Sequence, residues 1–163
     1  MLLNKDQIKA FIPHRDPFMF VDSIESILFP QNLKVDFNNP PQSKDLIGGK
    51  VVGYFEVKEE MPILAGHFPG NPILPGVVQV EIMAQVSCFM IYPLYKDPAN
   101  SKIEVALLSV NDTKFRKPVK PGMKLKIETE LMKARGNIWT YNAKVLVDDV
   151  IMSEASFMAS VNK

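Results

Sequence analysis

His67 and Glu81 are the two side chains of this sequence best placed to move protons. His67 opens the segment Gly66-His-Phe-Pro-Gly-Asn-Pro-Ile-Leu-Pro-Gly76, whose density of proline and glycine fixes a backbone shape without regular structure. That segment runs straight into an apolar helical stretch, with Pro75 and Gly76 at its start, where proline is favoured. The first N–H groups of a helix lack an internal partner and carry the positive end of its dipole. At Gly76 they would suit an oxyanion such as a polarised thioester carbonyl. A histidine just before such a helix start is either a structural residue bonded to a loop carbonyl or a general base.

Glu81 stands among Val78, Val80, Ile82, Met83 and Ala84, on a helix with no wide polar face. A buried carboxylate is costly unless it is paired, solvated by a cavity or protonated. The protonated form is useful, because a carboxylic acid held neutral can donate a proton. Gln85 lies one turn later and is in reach of it. The alternative is a glutamate at a solvent-exposed gap on the helix.

The run Lys114-Phe-Arg-Lys-Pro-Val-Lys120 is the densest cluster of cations. It reads as a solvated edge or as a dock for an acidic protein. On an alternating strand Lys114 and Arg116 share one face, which favours Arg116 and Lys120 over Lys117 as docking residues. The nine methionines, Met83 and Met90 among them, are pliable core packing or the lining of an acyl tunnel. No Gly-rich phosphate loop, zincin motif or Gly-x-Ser-x-Gly elbow is present, so Ser/His/Asp catalysis is unsupported.

Composition narrows the classes further. The chain has 163 residues, 47% apolar and 23% charged, which is ordinary for one globular domain and excludes disorder, collagen and coiled coil. A net charge of +1 gives no global field for nucleic acid or an anionic membrane. One cysteine, Cys88, rules out an intrachain disulfide and fits a reducing cytoplasm. With only two histidines, an all-His/Cys metal site is excluded. The first residues, Met1-Leu-Leu-Asn-Lys-Asp-Gln7, lack the pattern of a secretory signal. The apolar stretch from 77 to 92 is shorter than the about 20 residues of a bilayer span and is interrupted by Gln79, Glu81 and Gln85.

These residues need elements to position them. Asn4 with Gln7 forms a capping-box signature, followed by Ile8, Phe11 and Ile12, and predicts a short helix over about 5–12. Positions 18–29 look extended. Positions 30–49 are rich in Asn, Pro and Gly and read as an irregular loop, with a short strand near Val35. Lys50 to Lys58 alternates as a strand does, and 66–76 is an ordered irregular loop. The long helix is expected over 77–92, ended by Pro93 and buried on nearly all faces. Strands are expected over 102–112, around 123–131 and 139–147, and over 150–161, with turns at Arg135-Gly136-Asn137 and Asp148-Asp149. There is no alternating βαβ series. One apolar helix wrapped by a curved antiparallel sheet, an α+β architecture, is the economical arrangement.

Four blocks of this sequence resemble a known family. They are Pro13-His-Arg-Asp-Pro-Phe-Met-Phe-Val-Asp22, Gly66-His-Phe-Pro-Gly-Asn-Pro-Ile-Leu-Pro-Gly-Val77, Glu81-Ile-Met-Ala-Gln85 and Lys114-Phe-Arg-Lys-Pro-Val-Lys-Pro-Gly122. In that order they resemble the FabZ-type β-hydroxyacyl-acyl-carrier-protein dehydratases of bacterial type II fatty acid synthesis. Glu at position 81 resembles the FabZ type rather than the FabA type, which carries Asp there. The resemblance implies a hot-dog fold and a homodimer or trimer of dimers. It also implies a site at the dimer interface, with the histidine from one chain and the glutamate from the other. The spacing is compatible, since Glu81 lies about 7 Å up the helix from Gly76. His14 and Arg15 belong to a family motif near the site and read as structural rather than catalytic. The sequence departs from the family at Asp16, at Gln79 and in the longer stretch between Asp22 and His67.

The expectation is therefore a cytoplasmic lyase, a single hot-dog domain over 1–163. It would dehydrate (3R)-3-hydroxyacyl groups on acyl carrier protein to trans-2-enoyl products. His67 would be the base, Glu81 the acid, Gly76 the carbonyl-binding N–H and Gln85 a support. Arg116 and Lys120 would dock the carrier protein. No metal or organic cofactor, nucleic acid or membrane is expected. Two alternatives stand beside it: a hot-dog acyl thioesterase, and a non-catalytic acyl-carrier-binding protein.

Overall fold

The computed structural model describes residues 2–30, 33–101 and 103–162. Helix α1 spans Lys5–Phe11 and opens with the expected capping box. Gln7 N–H donates to Asn4 Oδ1 at 3.1 Å, and Asn4 N–H donates to Gln7 Oε1 at 3.0 Å. Its buried Ile8 and Phe11 point inward, and the Phe11 ring packs against Phe89, Tyr92 and Tyr95.

Six strands follow: β1 Ser23–Leu28, β2 Lys50–Glu56, β3 Glu104–Phe115, β4 Lys124–Arg135, β5 Ile138–Val147 and β6 Val150–Asn162. They form one antiparallel sheet in the order β1-β2-β4-β5-β6-β3. On β4 and β5 the alternation places Leu125, Ile127, Leu131, Trp139, Tyr141 and Val145 on the inner face. The β5–β6 hairpin turns on Asp148 and Asp149, both with positive φ (48° and 60°), as a two-residue turn that follows sheet twist requires.

Helix α2 is a single turn at Pro62–Gly66. Helix α3, Gly76–Ser87, crosses the inner face and packs on β2, β4, β5 and β6. It comes close because β2 carries Gly53. A Cβ there would lie 3.0 and 3.1 Å from the Val86 methyls. Helix and sheet share one continuous apolar cluster, and the arrangement is the hot-dog fold. The helix and its continuation, Gly76–Leu94, are long and apolar enough to cross a membrane, yet 72% of that window is buried within the fold.

Four details differ from expectation. The α-helix ends at Ser87 and continues as a 3₁₀ segment, Cys88–Leu94, with Pro93 inside it rather than stopping it. At this junction Ser87 Oγ and Cys88 Sγ bond the carbonyls of Met83 and Ala84, and the Cys88 N–H is shared among the carbonyls of Ala84, Gln85 and Val86, which spans the α and 3₁₀ patterns. No strand forms near Val35. The loop is instead anchored by a 3₁₀ turn, Ser43–Leu46, whose Leu46 is fully buried. Strand β3 continues past Asp112 to Phe115, and the expected start at position 102 lies outside the described residues. The extended region 18–29 is a strand only over Ser23–Leu28.

Candidate active site

His67 is delivered as the C-cap of α2, its N–H donating to Leu64 O. Its loop closes on itself: Ile73 N–H donates to His67 O at 2.8 Å, and His67 Nδ1 lies 2.7 Å from Ile73 O. A carbonyl only accepts, so Nδ1 carries the proton and Nε2 keeps a free lone pair. Of the two readings of this histidine, the bond to a loop carbonyl is present, and that bond selects the tautomer a general base would need. The ring stacks on Phe68 at 4.1 Å between centroids.

A cavity of 470 Å³ joins His67 to the start of α3, lined also by Gly76, Gln79, Phe115, Arg116 and Lys117. Gly76 lets the Phe115 ring lie against the helix start: a Cβ there would meet the ring at 2.7–2.9 Å and the half-exposed ring would have to move aside. Leu74 N–H donates to Val119 O, which ties the loop to the chain after β3. The unusual Gln79 is buried and bridges Ser153 Oγ at 2.6 Å and Leu74 O at 3.4 Å, pinning the helix start to β6.

Glu81 lies on the one stripe of α3 that the sheet does not cover, together with Val77, Ala84 and Cys88. Its side chain is 22% exposed. Gln85 Nε2 donates to Glu81 Oε1 at 2.9 Å, and His14 Nε2 lies 3.3 Å from the same oxygen. Gln85 also accepts from Phe20 N–H at 2.8 Å and donates to Phe18 O at 2.9 Å, locking the 18–20 segment to the helix. Of the options open in the sequence, Glu81 is paired. Among the described residues no lysine or arginine forms an ion pair with it. Burial, and then the neighbouring Glu81 charge, pushes the Cys88 thiol up to about 12.

No hydrogen bond or ion pair joins His67 to Glu81 within the chain, and Glu81 does not line the His67 cavity. Part of the basic run faces the same cavity. Arg116 and Lys117 both line the cavity, whereas Lys120 does not. Strand alternation stops at Phe115, because the N–H groups of Arg116 and Lys117 both turn to Met152 O. Arg116 is held by Glu154 at 2.5 Å, which also keeps the Glu154 carboxyl below the usual range. The contact of His14 with Glu81 escaped sequence reasoning. Its only signal was the position of His14 in the Pro13-His-Arg block. Asp16 is exposed, 3.8 Å from Lys9 Nζ. Among the described residues no three His, Cys, Asp or Glu side chains gather as a metal-ligand set.

Comparison with known proteins agrees with this geometry. The model of the FabA-like domain family matches residues 35–156. The 3-hydroxyacyl-[acyl-carrier-protein] dehydratase FabZ of Geotalea uraniireducens is 36% identical over 155 residues, covering 95% of this chain and 94% of that protein. FabZ of Campylobacter fetus subsp. fetus is 34% identical over 158 residues, covering 95% of each. Among solved structures, the dehydratase heterocomplex ApeI:P from Xenorhabdus doucetiae superposes with a TM-score of 0.69 at 13% identity. It covers 96% of this chain and 91% of that one. A mutant of the fluoroacetyl-CoA-specific thioesterase FlK superposes with a TM-score of 0.58 at 11% identity, covering 71% of this chain and 87% of that one. Those structural likenesses carry the fold alone, whereas the near full-length relatives and the domain model carry the family: the chain belongs to the FabZ-type dehydratases of the FabA-like family.

Proposed function

We propose that this chain removes water from (3R)-3-hydroxyacyl groups carried on acyl carrier protein, giving the trans-2-enoyl thioester of fatty acid biosynthesis. The observation that carries the reading is His67. Its Nδ1 is committed to Ile73 O, so its basic Nε2 is left free beside the start of α3. Nε2 takes the α-proton, and the C–H electron pair forms the new double bond as the C3–O bond breaks. Glu81 gives its proton to the departing hydroxyl, which leaves as water. Backbone N–H at Gly76 stabilises the thioester oxygen as charge gathers on it. His67 ends as imidazolium and Glu81 as carboxylate, and transfer of one proton from the first to the second resets the pair. No electrons are exchanged with an outside carrier, and His67, Glu81 and the Gly76 N–H between them carry every step, so no step is assigned to a metal or organic cofactor.

The site is assembled from two copies, with His67 of one and Glu81 of the other. The absence of any bond between them within the chain supports this. So does β3, a sheet-edge strand whose Leu107, Leu108 and Val110 are exposed, as an edge awaiting a partner would be. Such dimers, alone or three together, act in the cytoplasm as one domain per chain. The acidic carrier protein is met by Arg116 beside the His67 cavity, with Lys117 there favoured over Lys120.

The test is incubation with 3-hydroxyacyl carrier proteins of graded chain length, with products read by mass spectrometry at low and high salt. A product lighter by one water, formed more slowly as salt rises, is expected. Free acid and thiol would instead identify a thioesterase, and unaltered substrate a binding module. Mixing inactive His67→Ala and Glu81→Gln chains, with subunit exchange verified by mass, should restore turnover. Exchanged hybrids that stay dead would place both residues within one chain.

A further inference from the structure

His14 sits just beyond α1, in a segment clamped by Arg15. The Arg15 guanidinium donates to Ile12 O at 2.8 Å and to His14 O at 2.7 Å. The clamp aims the His14 ring at α3, where Nε2 lies 3.3 Å from Glu81 Oε1. The other ring nitrogen, Nδ1, is buried and has no hydrogen-bond partner. With its proton on Nε2, His14 presents a donor to Oε1 across this 3.3 Å polar contact, which a small turn of the ring makes an N–H···O bond, and Nδ1 is left a bare acceptor. Gln85 Nε2 donates to that same Oε1 at 2.9 Å. Two donors thus converge on one carboxyl oxygen, while Oε2 has no hydrogen-bond or ion-pair partner among the described residues.

We propose that His14 is a positioning residue that decides where Glu81 carries its proton. In the neutral acid only the carbonyl oxygen can accept two N–H bonds without conflict. His14 and Gln85 therefore make Oε1 the carbonyl oxygen and place the acidic hydrogen on Oε2, the oxygen left free for the substrate hydroxyl. After the proton is given up, the same two donors stabilise the carboxylate. Gln85 alone fixes one direction; His14, arriving from another element, fixes the rotation of the carboxyl plane. The inference rests on the dehydratase reading, with Glu81 as acid.

The experiment compares His14→Phe, which keeps a ring but no donor, with His14→Gln, whose side-chain amide can place an N–H where Nε2 stood. Dehydration of a 3-hydroxyacyl thioester is measured at steady state beside wild type and Glu81→Gln, with folding checked by thermal melting. His14→Phe should lower kcat roughly 10- to 100-fold, about 1.4–2.7 kcal/mol in the barrier, with KM within about twofold. His14→Gln should recover most of that loss. Folded His14→Phe with near wild-type kcat overturns the proposal. So does a folded His14→Gln as inactive as the phenylalanine variant, because the donor would then not be what matters. If instead wild type forms no enoyl product, or Glu81→Gln keeps its turnover, the dehydratase reading itself falls, and the two failures are told apart by the controls.

Discussion

Replacing Gln85 with leucine tests the network behind Glu81, the acid of the proposed reaction. Gln85 is 1% exposed and makes three bonds: from Phe20 N–H at 2.8 Å, to Phe18 O at 2.9 Å and to Glu81 Oε1 at 2.9 Å. Leucine matches its bulk but leaves the buried Phe20 N–H without an acceptor and the part-buried Phe18 carbonyl without its donor. An orphaned buried polar group costs about 1–3 kcal/mol, so the pair together should cost roughly 2–4 kcal/mol. At about 2–4 °C per kcal/mol for a chain of this size, Tm should fall by roughly 4–16 °C. Glu81 loses one of its two donors, and kcat should fall about 10- to 100-fold. Gln85→Glu separates the two effects. It keeps an acceptor for Phe20 N–H but turns an oxygen toward Phe18 O and Glu81 Oε1, so kcat should suffer at least as much as with leucine. Melting must be compared at one protein concentration, because assembly shifts apparent stability. A leucine variant that melts within about 2 °C of wild type and keeps kcat within about twofold would refute the network as the source of either property.

Two further outcomes follow from the packing of α3. Gly53→Ala would push a methyl to 3.0–3.2 Å from Val86 and Ile24, both fully buried, and should cost about 1–3 kcal/mol; adding Val86→Ala should return part of that loss, and strictly additive melting shifts would show that the two do not touch. Cys88, its thiol pushed up to about 12 mainly by burial, should alkylate roughly 1000-fold more slowly at pH 8 in the native protein than after denaturation. Because its folded pKa lies above the unfolded value of about 8.5, its share of stability is full below that pH and is lost as pH rises toward 12. Cys88→Ala should flatten that alkaline decline, and equal slopes for mutant and wild type by melting would contradict the burial argument.

Patterning made the sheet readable. Alternation on β4 and β5 holds up to the bulges at Leu131/Lys133 and Val145/Leu146, because one face meets α3 and the other meets ions such as the Lys126–Glu128–Lys144 group. The capping box and the Asp148-Asp149 turn were equally plain, since local chemistry alone decides them. What periodicity could not show was decided by tertiary or side-chain competition. The α-to-3₁₀ change at Cys88 shows only in how one N–H is shared among three carbonyls, which no periodicity records. The single turn of α2 is too short to leave a pattern. The region near Val35 has strand-forming residues but no strand neighbour, and propensity without pairing forms no sheet.

The site divides along the same line. His67 and the helix start could be located because proline and glycine rigidify their own neighbourhood, and the Ile73 bond that selects the tautomer spans only six residues. Glu81 could be located because a carboxylate on an apolar helix demands a reason. The reason itself lay in segments remote in sequence, more than sixty residues away: Phe18 and Phe20 reach Gln85 through backbone groups that any residue could supply, and His14 reaches Glu81 through its ring. The Arg116-Lys117 step failed as an alternation argument because both amides turn to one carbonyl, a choice made by β6 rather than by the run itself. Where a residue acts through its own loop, sequence suffices. Where it acts through another element's backbone, the partner can be found only once the helix has been laid on the sheet, and the bonds that hold Gln85 against Glu81 belong to that second kind.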